Sequence, residues 1–127
     1  MLRTTLTSQK LYRSFNKSLN LCWTLLRWKV DWREYLTTTQ NFIHVSIDGR
    51  GTGYQSNEYR FAVYRNMGTL EMTDQIEVTR QLVEQNSFIS PDQVAIWGWS
   101  YGGFATAMTL EADVGENPVF SCGISGN

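Results

Sequence analysis

The 127 residues contain a single histidine, His44, and only two cysteines, Cys22 and Cys122. Two thiols so far apart make neither a zinc spacing nor a disulfide framework, so no metal ligand set is expected. The glycines at 49, 51 and 53 follow G-x-G-x-G. That spacing lacks the third glycine of a dinucleotide fingerprint, and no Gly-Lys-Ser/Thr follows it, so no nucleotide cofactor is expected either. Long apolar runs are missing too. The longest, residues 21–26, is interrupted by Thr24, far short of the ~20 apolar residues of a membrane span. No small-residue cleavage site follows it as a secretory leader would require. Acids are absent from the first thirty residues, which carry six Lys or Arg, whereas the remainder holds five bases against twelve acids.

What is present describes a globular domain. A composition 42% hydrophobic and 18% charged excludes a disordered chain, and the length suits one ordinary domain. The charge asymmetry, +6 against −7, divides the sequence into residues 1–30, an unassigned basic leader rich in Arg, Lys, Ser and Thr, and residues 31–127. The acid-free composition of the leader is also that of a mitochondrial transit peptide, but no targeting signal is secure.

From residue 31 the pattern is that of alternating helices and strands. Trp32, Tyr35 and Leu36 fall at i, i+3, i+4 and predict a short helix that packs by that face. Residues 41–47 read as a strand ended by the turn Asp48-Gly49-Arg50-Gly51. Residues 59–67 combine aromatics with Arg60 and Arg65, yet the acidic balance of residues 31–127 argues against a nucleic-acid partner. Residues 71–85 form an amphipathic helix with Met72, Ile76, Thr79 and Val83 in its stripe, widened by Leu82. Its carboxylates read as a solvated face. Ser90-Pro91-Asp92 breaks the chain before a strand at residues 94–97, and residues 119–124 are a third strand candidate after Gly115-Glu116-Asn117-Pro118. This alternation implies an α/β fold with a parallel sheet and right-handed crossovers.

The chemistry concentrates at residues 94–107, V-A-I-W-G-W-S-Y-G-G-F-A-T-A. Val94, Ala95, Ile96 and Trp97 are an unbroken apolar run, as in a strand buried on both faces. Gly98-Trp99-Ser100-Tyr101-Gly102 then fits G-x-S-x-G, and small and apolar residues continue at helical spacing. The pentapeptide alone is common. A strand before it and a helix after it are the context in which a sharp turn lifts a serine hydroxyl clear of the sheet, with Gly98 and Gly102 leaving room for neighbouring backbone. Ser100 is therefore a candidate nucleophile, the alternative being a purely structural glycine-rich turn. His44 lies inside the strand at residues 41–47, where a packed imidazole is expected rather than a catalytic base.

The segment I-W-G-W-S-Y-G-G-F at residues 96–104 resembles the active-site segment of the prolyl oligopeptidase family of serine peptidases, in its dipeptidyl peptidase IV branch. D-G-R-G-T-G-Y-Q at 48–55, A-V-Y-R-N-M-G at 62–68 and E-M-T-D-Q-I at 71–76 resemble the same branch, in order and at similar spacing. The likeness covers residues 31–127 and implies a partial α/β-hydrolase fold with a nucleophile elbow, incomplete at both ends. It implies that Ser100 attacks the scissile carbonyl, that the backbone N–H of Tyr101 donates to the oxyanion, and that the Tyr101 ring walls a small substrate pocket. A packed aromatic is the plain alternative for Tyr101, and Trp97 and Trp99 are assigned to packing around the elbow. Enzymes of this branch remove N-terminal dipeptides after proline or alanine, so the implied partner is a peptide substrate; a homodimer of the complete protein is a further expectation.

The resemblance also names what these residues lack. The family's Asp and His follow the elbow at positions beyond Asn127, and its oxyanion tyrosine ends a strand in Y-x-G-P that residues 1–30 do not contain. That strand lies between those at 42–47 and 94–97, and only the run 21–26 offers an apolar substitute. Two readings follow: a dipeptidyl-peptidase-like serine peptidase seen in part, or a truncated non-catalytic product or interaction module derived from one, with a lipase or esterase a distant third. Cys122, in S-C-G-I, is either an unpaired thiol or, as in membrane-anchored and secreted relatives, half of a disulfide to a cysteine outside this sequence, which points to the secretory pathway.

Overall fold

The computed structural model describes residues 12–17 and 30–127; Cys22 and the run 21–26 lie outside the described residues. In chain order the elements are β1 (Tyr12–Lys17), α1 (Trp32–Thr39), β2 (Phe42–Ser46), α2 (Asn57–Phe61), α3 (Leu70–Gln85), β3 (Ile89–Trp99), α4 (Tyr101–Ala112) and β4 (Cys122–Gly126). The four strands form one parallel sheet in the order β2-β1-β3-β4.

Side-chain alternation explains the layers. Ile43 and Val45 on one face of β2 are buried with Ile47, just past its end, and Ile89, and Val78, Leu82, Val83 and Phe88 pack against them. Val94 and Ile96 of β3 are fully buried with Ile76, Val119 and Phe120, against Val83 and Leu110. Helix α3 thus covers this face along both strands, as its stripe predicts, with α4 beside it. Trp97 alternates to the opposite face, where Trp32 of α1 meets it edge-on with ring centroids 4.8 Å apart. The expected packing face of α1 is only partly covered, because Trp32 and Tyr35 remain about half exposed.

The central strand corrects one expectation. Between β2 and β3 sits β1, from within the basic leader, paired with both neighbours in register Ser14↔Ile43 and Ser14↔Val94. A ladder is made of main-chain groups, so a proline-free hexapeptide without an apolar run can still supply it. Ser90-Pro91-Asp92 is a second correction. These residues lie within β3, at an irregularity where pairing passes from Tyr12↔Ile89 to Ser14↔Val94. Exposed Pro91, with no N–H to pair, sits in that interruption.

The third strand candidate is displaced, β4 starting only at Cys122. Val119 and Phe120 are instead buried in the loop before it, where both N–H groups donate to Asp113 Oδ2 at 2.8 Å. Asp113 also faces Arg80 at 3.7 Å.

Asp31 caps α1, accepting from the Arg33 N–H at 3.0 Å and from its guanidinium. The Arg33 side-chain hydrogen bond is the main reason its carboxyl falls from 3.8 to about 2. A carboxyl depressed in the folded state stabilises above its unfolded pKa and loses that contribution as pH falls through the folded one. Asp31→Ala should therefore cost about 1 kcal/mol at neutral pH. In denaturant unfolding, the gap between variant and wild type should narrow from pH 3.8 towards about 2.

Candidate active site

At the end of β3 the chain turns into α4 through Ser100, whose φ of 57° and ψ of −122° lie outside the regions that residues with a Cβ ordinarily occupy. The turn holds this conformation by its surroundings. The Ser100 N–H donates to Gly126 O at 3.0 Å, while Ser100 O accepts from Gly103 N–H at 2.8 Å and Phe104 N–H at 3.2 Å. A Cβ on Gly98 would lie 2.1 Å from Gly102 O, and one on Gly103 would lie 2.2 Å from Gly126 O. Strand, turn and helix therefore approach to backbone contact, and Ser100 is left exposed. Tyr101 is the first residue of α4, where an amide has no intrahelical acceptor and the helix dipole favours negative charge.

Tyr101 is half-buried. Its ring lies 5.4 Å from that of Phe104, and its hydroxyl donates to Glu71 Oε1 at 2.8 Å. Burial, then the hydrogen bond to Glu71 and its charge, raise the Tyr101 pKa, so the phenol stays protonated across the neutral range. Glu71, at 1% exposure, accepts from Gly68 N–H at 2.6 Å and from Thr69 N–H at 3.2 Å as well.

Asp74, one turn on, receives the Arg50 N–H at 2.7 Å and its guanidinium Nε at 3.0 Å. This ties the Asp48-Gly49-Arg50-Gly51 loop after β2 to the same end of α3. The expectation of a solvated acidic face holds for the exposed Glu77 and Glu84 and fails for Glu71 and Asp74. Sequence reasoning missed Glu71 as a site residue; the available signal was a glutamate in the first turn after Gly68-Thr69, placed to reach back to free N–H groups.

His44 is level with Phe15, which is level with Ala95. Two strand spacings and the five residues from Ala95 to Ser100 put it about 10 Å to the side and about 15 Å back along the sheet. The imidazole is out of hydrogen-bond reach of Ser100. Trp97 is half-buried, as packing requires, but Trp99 is 64% exposed, its ring lying over Gly126. A cavity of about 530 Å³ is lined by Arg80, Val83, Pro91, Asp92, Pro118 and Phe120 among others. It opens at the start of β3, the end of the strand remote from Ser100. Among the described residues no cluster of three or more metal-ligating side chains occurs, and no helix is long and apolar enough to cross a membrane.

A parallel sheet with helices on both faces, and a strand running through a positive-φ serine of G-x-S-x-G into a helix, define an α/β-hydrolase fold. Comparison with known proteins narrows the class. The model of the prolyl oligopeptidase family matches residues 28–127. Dipeptidyl peptidase 4 of Bos taurus is 47% identical over 97 residues, 76% of this chain and 12% of that protein. Venom dipeptidyl peptidase 4 of Apis mellifera is 47% identical over 91 residues, 72% of this chain and 12% of that protein. The crystal structure of Porphyromonas gingivalis dipeptidyl peptidase 4 superposes with a TM-score of 0.79 at 33% identity, over 91% of this chain and 16% of that one. The chain belongs to the prolyl oligopeptidase family. It spans about 12% of the length of these curated relatives.

Proposed function

We propose that this chain is part of a serine peptidase that releases N-terminal dipeptides through an acyl-enzyme, with Ser100 as the nucleophile. The observation that carries the proposal is the Ser100 turn itself, a serine with a Cβ in a backbone conformation of positive φ at the tip of a strand-turn-helix, in a family of peptidases. Ser100 Oγ attacks the scissile carbonyl, and the N–H of Tyr101 donates to the oxyanion that forms. The Tyr101 ring walls the pocket for the residue before the scissile bond, its polar tip bound by Glu71 and its apolar body turned to a proline or alanine side chain.

A serine hydroxyl is a weak nucleophile without a base. His44 cannot serve, so the proposal assigns the base and its orienting acid to residues beyond Asn127. The remoteness of His44 is also the one observation that favours the second reading, a non-catalytic product of such a gene.

The test is a fluorophosphonate probe applied to the full-length enzyme, with the modified residue mapped by mass spectrometry. Ser100 should carry the adduct, and labelling that survives Ser100→Ala would overturn the assignment. Dipeptide release predicts that acetylating the substrate's N-terminus abolishes turnover, whereas an endopeptidase would accept the blocked peptide.

A membrane-anchored or secreted parent, with a homodimer of the complete protein, belongs to the same proposal. The secretory part rests on Cys122 in S-C-G-I, exposed at the start of β4 and so accessible to a partner cysteine outside these residues, and the homodimer rests on the family resemblance alone. Peptide mapping of the unreduced full-length protein should find Cys122 joined to a cysteine outside these residues. A free thiol there would argue for a cytosolic parent.

A further inference from the structure

The buried Glu71 carboxylate bridges two helix starts. Oε1 takes the Gly68 N–H and the Tyr101 hydroxyl, and Oε2 takes the Thr69 N–H. The Thr69 hydroxyl does not cap α3; it donates to Asn66 O at 2.7 Å. Glu71 therefore reaches back to the N–H of the N-cap residue Thr69 and to that of Gly68 before it, as the acid of a capping box does. A second contact runs in parallel: Gly68, at φ +88°, packs so tightly under α4 that a Cβ there would lie 3.3 Å from the Phe104 ring. The turn before α3 is thus tied to the first turn of α4 by two contacts, and Ser100 is the residue immediately before that turn of α4.

We infer that Glu71 is a positioning residue which, through the Tyr101 hydroxyl, fixes the amide and ring of the residue following Ser100. The inference rests on the peptidase reading above and adds to it a specific buried carboxylate, thirty residues away in sequence.

A glutamate charge buried without a paired cation among the described residues is a costly choice for helix capping alone, since an uncharged side chain could serve the same N–H groups. The third ligand of this carboxylate is the hydroxyl beside the nucleophile. An oxyanion donor acts only when held where the negative charge develops, and small displacements are expensive there. Releasing Tyr101 should affect the transition state more than the bound ground state.

The experiment uses the full-length enzyme carrying Glu71→Gln, Tyr101→Phe and both changes together. Each single variant should lower kcat about tenfold, with KM shifted much less, and the double variant should be no slower than the worse single one. Full additivity, or a Glu71→Gln enzyme with a lower Tm and an unchanged kcat, would reduce Glu71 to a helix cap and overturn the inference. Should Glu71→Gln fail to fold, Tyr101→Phe breaks the link from its other end without touching the cap, and an unchanged kcat there would overturn it equally.

Titration of the Tyr101 phenol separates the two layers. Glu71→Gln should let Tyr101 ionise at lower pH, and an unshifted titration would refute the link even in an active enzyme. Turnover that persists in Ser100→Ala would instead defeat the peptidase assignment, leaving the phenol titration to decide the contact.

Discussion

Ser100→Ala in the full-length enzyme should lower kcat by about 10⁶, the scale seen when a triad serine is removed, while substrate still binds. The change deletes one oxygen atom and retains the Cβ, so the turn at φ 57° is kept. Its hydrogen bonds to Gly126, Gly103 and Phe104 are all main-chain and survive as well. Stability should therefore hardly move, and the loss can be ascribed to chemistry. Ser100→Gly offers an internal control. It is equally devoid of a nucleophile, but glycine occupies positive φ without steric cost, so this variant should be more stable than Ser100→Ala by about 1 kcal/mol. Two inactive enzymes that differ in Tm in that order would separate the strain of the turn from its function. Activity retained to within tenfold in Ser100→Ala would exclude Ser100 as the nucleophile.

Legibility from sequence followed the range of the interactions. The stripe of α3 and the run Val94, Ala95, Ile96, Trp97 were readable because helix and strand periods are local properties, and burial follows them with Met72, Thr79, Val94 and Ile96 all at 1% exposure or less. The elbow was readable because the close approach of Gly98 to Gly102 falls within five residues, whereas the contact of Gly103 with Gly126 belongs to the tertiary fold. By contrast, Tyr12–Lys17 carries no period or apolar run of its own, and its place in the sheet comes from two neighbours that each need a main-chain partner. The burial of Glu71 depends on Tyr101, that of Asp74 on Arg50, and the anchoring of Val119 and Phe120 on Asp113. Each is a polar residue on what looks like a solvated surface until tertiary contact supplies its partner. Exposed Trp32 and Tyr35 are the converse, apolar residues whose periodic spacing overstates how much of α1 is covered.

Gly98→Ala should prevent the domain from folding, or cost more than about 3 kcal/mol if it folds, beyond the ordinary range for overpacking. The added methyl would meet Gly102 O at 2.1 Å, Gly102 C at 2.3 Å and Gly102 Cα at 2.8 Å. All three are main-chain atoms, so no side-chain rotation relieves the clash. Moving Gly102 away shifts the first turn of α4. That turn is pinned on its other side, where Gly103 closes on Gly126 O, the carbonyl that also accepts the Ser100 N–H. Moving Gly98 instead breaks the β3–β4 ladder at its pairing with Ser125. Gly115→Ala separates this steric cost from the generic cost of replacing a glycine. Gly115 has φ +144° and nothing within 4 Å of an added Cβ, so its penalty is conformational alone, about 1 kcal/mol. Soluble yield and denaturant unfolding of the two variants should therefore differ widely, with Gly98→Ala the worse. A Gly98→Ala protein as stable as Gly115→Ala would mean that β3 and α4 do not meet at the backbone as described, and the tight turn that presents Ser100 would lose its structural basis.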